Sequence, residues 1–128
     1  MTDDMLKALW GSLPTPAVLL DEKDRIKDIN SAAEGFFNSS IRGLLDAPIW
    51  DKLAVDAPLE ESFLRSRLSG TPLFVNDVDV GTGERAPLQC NLKFAPVTGH
   101  PGYMILLIAP RELAGRMNQS QSVKAAAK

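Results

Sequence analysis

The chain has 128 residues, 45% of them apolar, and a formal net charge of −2, which suits one domain with one core and offers no basic field for nucleic acid or an anionic membrane. One cysteine and one histidine exclude an internal disulfide and leave a metal site short of ligands. The acidic start "MTDDMLKALW" is unlike a signal peptide, and the longest apolar run, "YMILLIA", falls far short of the ~20 residues a bilayer span needs, so a cytoplasmic location is expected.

In "TDDMLKALWGSLP", Thr2 offers a cap, Asp3 and Asp4 complement the dipole, and Leu6, Leu9 and Leu13 recur at three and four residues with Met5 and Trp10 beside them. That spacing predicts an amphipathic helix over 1–13, ended by Pro14 and Pro16. "AVLL" (17–20) reads as a short strand, "DEKDR" as a turn, and "IKDI" (26–29) as the returning strand. Ile26 and Ile29 fall on opposite faces, which a kink near Asn30 would reconcile. "NSAAEGFF" then opens a short helix with Ser31 and Glu34 as a capping box, or Asn30 as the alternative cap. One or two further helical turns fit 39–53, broken by Gly43 and Pro48.

"DAPLEESFLRSRLSG" (56–70) is a better-marked helix. Pro58 stands in its first turn after Asp56, Glu60 and Glu61 come early, Arg65 and Arg67 late, and Gly70 closes it, with Leu59, Phe63 and Leu64 facing inward. "PLFVNDVDV" (72–80) turns through "GTGER" into a strand whose even positions Ala86, Leu88, Cys90, Leu92 and Phe94 alternate with polar ones, a half-buried pattern. "YMILLIA" (103–109) is apolar throughout and is expected to be covered on both faces. The tail "RELAGRMNQSQSVKAAAK" is helix-prone, without a stop signal, and brings Leu113 and Met117 near one seam.

A lone hairpin is barely stable, so the strands are expected to join in one five-stranded antiparallel sheet with short helices on one face: an α+β fold with a leading and an outgoing helix. "SLPTPAVLLDEKDRIKDINSAAEGFF" resembles the opening of a PAS domain, a sensor and dimerisation module. "LPTPAVLLD", "APREL" and "SVKAAAK" resemble the amino-terminal PAS region of NtrB-type nitrogen-regulation sensor histidine kinases. The PAS fold agrees with the architecture read from the pattern.

The resemblance implies a PAS domain over 14–110 and, over 111–128, the start of a connecting helix to a kinase core. It implies signalling as a homodimer within an ATP-dependent histidine kinase/phosphatase, with a response regulator and a P-II-type signalling protein as partners of the parent. No catalysis is expected of this chain itself, since His100 sits in the turn "GHPG" and no Gly-rich ATP site is present.

No cofactor is expected either. His100 is badly placed for haem, and Cys90 reads as a small buried hydrophobe rather than a reactive thiol. Phe36, Phe37, Phe63 and Phe94 could wall a small apolar pocket, although plain core is the simpler reading of such aromatics. The apolar back of the sheet needs a cover. The face Met5, Leu6, Leu9, Trp10 and Leu13 is the candidate, either on its own sheet or as a dimer interface, with Leu113 and Met117 as the candidate signal-transmitting positions. Sensing of a small ligand and docking of a P-II-type protein are the alternative functions.

Overall fold

The computed structural model describes residues 2–83 and 85–111. Helix α1 (Asp3–Ser12) leads into β1 (Ala17–Leu20) and β2 (Ile26–Ile29). Three short helices follow, α2 (Ser31–Phe37), α3 (Ile41–Leu44) and α4 (Ile49–Lys52), then the two-residue strand β3 (Ala54–Val55) and helix α5 (Leu59–Ser69). Strands β4 (Leu73–Thr82), β5 (Arg85–Pro96) and β6 (Met104–Pro110) complete the described fold. They form an antiparallel sheet in the order β2-β1-β6-β5-β4-β3.

The sheet has six strands rather than the five expected from the pattern. The addition is β3, which pairs Ala54 with Gly81 and Val55 with Val80 at the edge; two residues are too few to show any period. The mismatch of Ile26 and Ile29 is resolved by a register shift between Leu19 and Leu20, where Ile29 faces Val18 but Ile26 faces Leu20. A bulge of this kind inserts one extra residue, so both isoleucines reach the core without a kink at Asn30.

Asn30 serves instead as the cap of α2. Its Oδ1 accepts from Ala33 N at 2.9 Å and from Ala17 N at 3.0 Å, and its Nδ2 donates to Thr15 O at 2.9 Å and Leu13 O at 3.4 Å. One fully buried amide thus closes the helix and ties it to the chain entering β1, while Ser31 stays exposed. Gly43 lies inside α3 rather than breaking it, and Asp46, at φ 65°, turns the chain before Pro48.

On α5 the inward positions are Leu59, Phe63 and Ser66. Leu64, expected inside, is 52% exposed, because it stands about 100° around the helix from Phe63. Ser66 takes the third inward place at the i+7 position, with its hydroxyl donating to Thr71 O at 2.6 Å. Asp56 lies before the helix and accepts from Asp79 N at 3.0 Å, bracing β3 against β4.

The core lies between the helices and one sheet face. Leu92, Phe94, Met104, Leu106 and Ile108 are buried to 2% exposure or less. The alternation read along β5 holds from Leu88 to Phe94, but Ala86 is exposed. On β6 only the core face is fully covered; Ile105 and Leu107, on the other face, are half-buried and Ala109 is exposed. Covering on both faces fails because α1 packs alongside α2 rather than across the back of β6.

Candidate functional site

Thr2 caps α1 through Oγ1, which accepts from Met5 N at 3.1 Å, with Asp3 and Asp4 in the first turn. The helix buries none of its residues. Met5, Leu6, Leu9 and Leu13 are 41–51% exposed, so the stripe that the spacing brings together is real but only half used. Trp10 is half-buried, and its indole Nε1 is covered yet lacks a hydrogen-bond partner among the described residues. A covered donor without a partner costs free energy.

The aromatic cluster is packed core. Phe63 and Phe94 stack with centroids 4.3 Å apart, Phe36 meets Phe37 edge-on at 5.5 Å, and all four rings are at most 5% exposed. Trp50, which the sequence reading passed over, stands 5.0 Å from Phe63 and donates through Nε1 to Asp24 Oδ2 at 2.9 Å. Its position on a four-residue helix gave no periodic signal. On its outer side an open cleft of ≈500 Å³ runs past Val55, Ala57 and Leu59 to Glu60 and Glu61.

Cys90 faces inward on β5, where burial, followed by the charge of Asp79, pushes its thiol up to about 11. His100 lies in the turn between β5 and β6, with its ring 6.3 Å from that of Tyr103. Among the described residues, no group of three or more His, Cys, Asp or Glu side chains converges as a metal site would require.

Where the chain leaves the sheet, Arg111 forms an ion pair with Asp77. Asp77 adopts φ 59° at a register shift in β4, and its N–H donates to Asn91 Oδ1 at 3.0 Å. Positive φ is uncommon outside glycine, and here a bulge re-aims the carboxylate toward the exit of β6. Leu113 and Met117 lie outside the described residues.

The crystal structure of the PAS domain of nitrogen regulation protein NR(II) from Vibrio parahaemolyticus superposes with a TM-score of 0.69 at 21% identity, covering 83% of this chain and 97% of that one. This chain has the PAS fold. A PAS domain of an HTR-like protein from Haloarcula marismortui matches with a TM-score of 0.65 at 13% identity over 84% of this chain and 89% of that one. The blue-light activated histidine kinase of Erythrobacter litoralis matches with a TM-score of 0.64 at 13% identity, over 91% of this chain and 42% of that one.

In sequence, the chain resembles the sensory histidine kinase/phosphatase NtrB of Rhodobacter capsulatus, at 52% identity over 120 residues, 94% of this chain. It spans about a third of the length of that relative, 34%. No family model matches the chain. Among the described residues no helix is long and apolar enough to cross a membrane.

Proposed function

We propose that this PAS domain is the sensory and regulatory module of an NtrB-type nitrogen-regulation histidine kinase, where it holds two chains together and passes changes in its packing to the kinase core. The resemblance to NtrB supports the kinase context. The observation that carries the dimer is α1, with four large apolar side chains about half exposed beside a covered, unpaired indole N–H. Burying each leucine is worth ~2 kcal/mol, so a few are enough for association.

In this reading the chain works in the cytoplasm and does no phosphoryl chemistry itself; that belongs to the parent's kinase core, which exchanges phosphate with a response regulator. Transmission runs through the exit of β6, which Arg111 fastens to the bulge at Asp77. A shift of β4 against β5 would move that anchor and, with it, the chain that follows, where Leu113 and Met117 are the candidate signal-transmitting positions, biasing the attached core between two states.

Sedimentation equilibrium of the chain and of Leu9→Asp tests the dimer. The expected result is a dimer for the wild type and a monomer, with an unchanged circular dichroism spectrum, for the variant. The same monomer in both would overturn it.

A further inference from the structure

We propose that the edge of β3, with the cleft beside Trp50, receives an extended segment of a partner protein that carries lysine or arginine among apolar residues. The sheet ends in two edge strands, β2 and β3, and the fold treats them differently. The backbone of β2 is covered: Ile26 N donates to Ala47 O at 2.9 Å, Ile26 O accepts from Asp46 N at 2.7 Å, and Arg25 bridges to Pro48. Strand β3 has no such cover among the described residues. It also lies at the far end of the sheet from β1 and β2, apart from the α1 surface on which the dimer reading rests.

The register of β3 decides which groups it presents. Asp56 N donates to Asp79 O at 3.3 Å, and in an antiparallel ladder bonded pairs alternate with unbonded ones. Ala54, opposite Gly81, is therefore of the bonded kind, and Val55, opposite Val80, is not. The N–H and C=O of Val55 accordingly point away from β4, where neither meets a partner among the described residues. An unpaired edge of this kind accepts one more strand.

The edge borders the cleft of ≈500 Å³ in which Val55 meets Trp50, Ala57 and Leu59, with Glu60 and Glu61 completing the lining. Its walls are thus mostly apolar and its charge is of one sign. Residues 51–61 carry four carboxylates, Asp51, Asp56, Glu60 and Glu61, against one cation, Lys52, and all four are exposed. Asp56 is engaged by Asp79 N. Asp51, Glu60 and Glu61 join no ion pair among the described residues. The dipole of α5 favours acids at 60 and 61, but it does not reach a surplus that extends back to α4.

That charge selects the occupant. Two β3 edges from two copies would bring like charges together, so the edge does not suit pairing with itself. A cationic segment meets a complementary potential, and the apolar stem of a lysine or arginine can lie along the walls while its head reaches Glu60 or Glu61. The open stretch of β4 at Leu73 adjoins Arg65 instead, which selects against the same guest. Docked on β3, the segment exchanges two backbone hydrogen bonds with Val55 and sets its side chains against Trp50 and Ala57.

An NMR titration of the full, isotope-labelled chain tests this, with the acetylated and amidated heptapeptide Thr-Lys-Val-Thr-Lys-Val-Thr as the probe. The peptide is expected to bind with a Kd of about 1 mM or tighter, to shift the Val55 amide and Trp50 indole signals, and to bind more weakly as salt is raised. At saturation, solvent exchange of the Val55 amide is expected to slow at least tenfold. Glu60→Gln combined with Glu61→Gln, with the rest of the spectrum unchanged, is expected to raise the Kd about fivefold. The same peptide with glutamates in place of its lysines is expected not to bind. Unchanged signals at about 1 mM peptide, shifts confined to Leu73–Val75, or undiminished exchange at Val55 overturn the docking edge. Equal affinity for the glutamate peptide, or for the double glutamine variant, overturns the cationic occupant.

Discussion

Arg67 on α5 places its Nη2 2.6 Å from Asp24 Oδ1, in the turn between β1 and β2, although the two residues are 43 positions apart. The same guanidinium donates through Nε to Gly102 O at 2.8 Å and through Nη2 to Asp21 O at 3.3 Å. Asp24 also accepts from the Trp50 indole at 2.9 Å. One planar cation therefore holds α5 to two turns, and through Asp24 to α4, in a geometry that lysine's single ammonium does not reproduce.

Removing that cation strands a partly covered carboxylate and two carbonyls at once. Arg67→Ala is expected to destabilise the domain by about 2 kcal/mol, with Arg67→Lys recovering less than half. Urea unfolding curves with equal slopes check this, and a loss below ~0.5 kcal/mol for Arg67→Ala would show the cluster to be ornamental.

The cap of α2 is a second point of leverage. Asn30→Ala removes two acceptor and two donor bonds from a buried position and is expected to cost about 3 kcal/mol, while Ser31→Ala is expected to cost less than about 0.5 kcal/mol. Thermal unfolding of both variants distinguishes the two candidate caps; equal losses would contradict the assignment to Asn30.

Asp21 gives the domain an acid-sensitive element. Burial works against its charge, but the N–H groups of Arg25 and Lys23 and the Arg25 guanidinium outweigh it and hold the carboxyl below its ordinary value of 3.8. Its Oδ1 accepts from both N–H groups at 2.9 Å. A carboxyl whose pKa is lower in the folded state contributes stability that is fully present above the unfolded value and disappears as pH falls through the folded one. Asp21→Asn is accordingly expected to be less stable than the wild type at pH 7, with the gap closing as pH drops from about 4 toward 2. Denaturation midpoints at pH 7, 4 and 2.5 test the trend, and a gap independent of pH contradicts it.

Cys90 is expected to be inert. With the thiol pushed up to about 11, only roughly 0.1% is thiolate at pH 8. A thiol-specific disulfide reagent at that pH is expected to label the folded domain at the rate of transient opening and the unfolded chain within seconds. Fast labelling of the folded state would show that the residue is accessible.

Much of this was legible along the chain. The cap and stripe of α1, the turn into β2, the alternation from Leu88 to Phe94 and the Gly70 stop on α5 are local signals, written in short-range spacing and in residues with special backbone preferences. The places where the pattern misled are those where a distant neighbour decides. Strand β3 exists only because Val80 and Gly81 lie beside it, whereas Leu64 is turned outward by a local rule, the 100° step of the helix from Phe63. Trp50 and Arg67, which join the helices to the first hairpin, carried no motif, since their partners are turns far away in sequence.

By itself the sequence determined the order of the elements other than β3 and the apolar face of α1, because periodicity and turn chemistry act over a few residues, and its first hairpin carried the resemblance to a PAS sensor. Only the tertiary structure decided which sheet face is sealed, that Asn30 rather than Ser31 closes α2, and that Leu68 of α5 shares a cleft with Leu73 of β4. Those outcomes depend on how separate elements meet in the fold, as where Ala17 N donates to Asn30 Oδ1, and no local rule assigns such a partner.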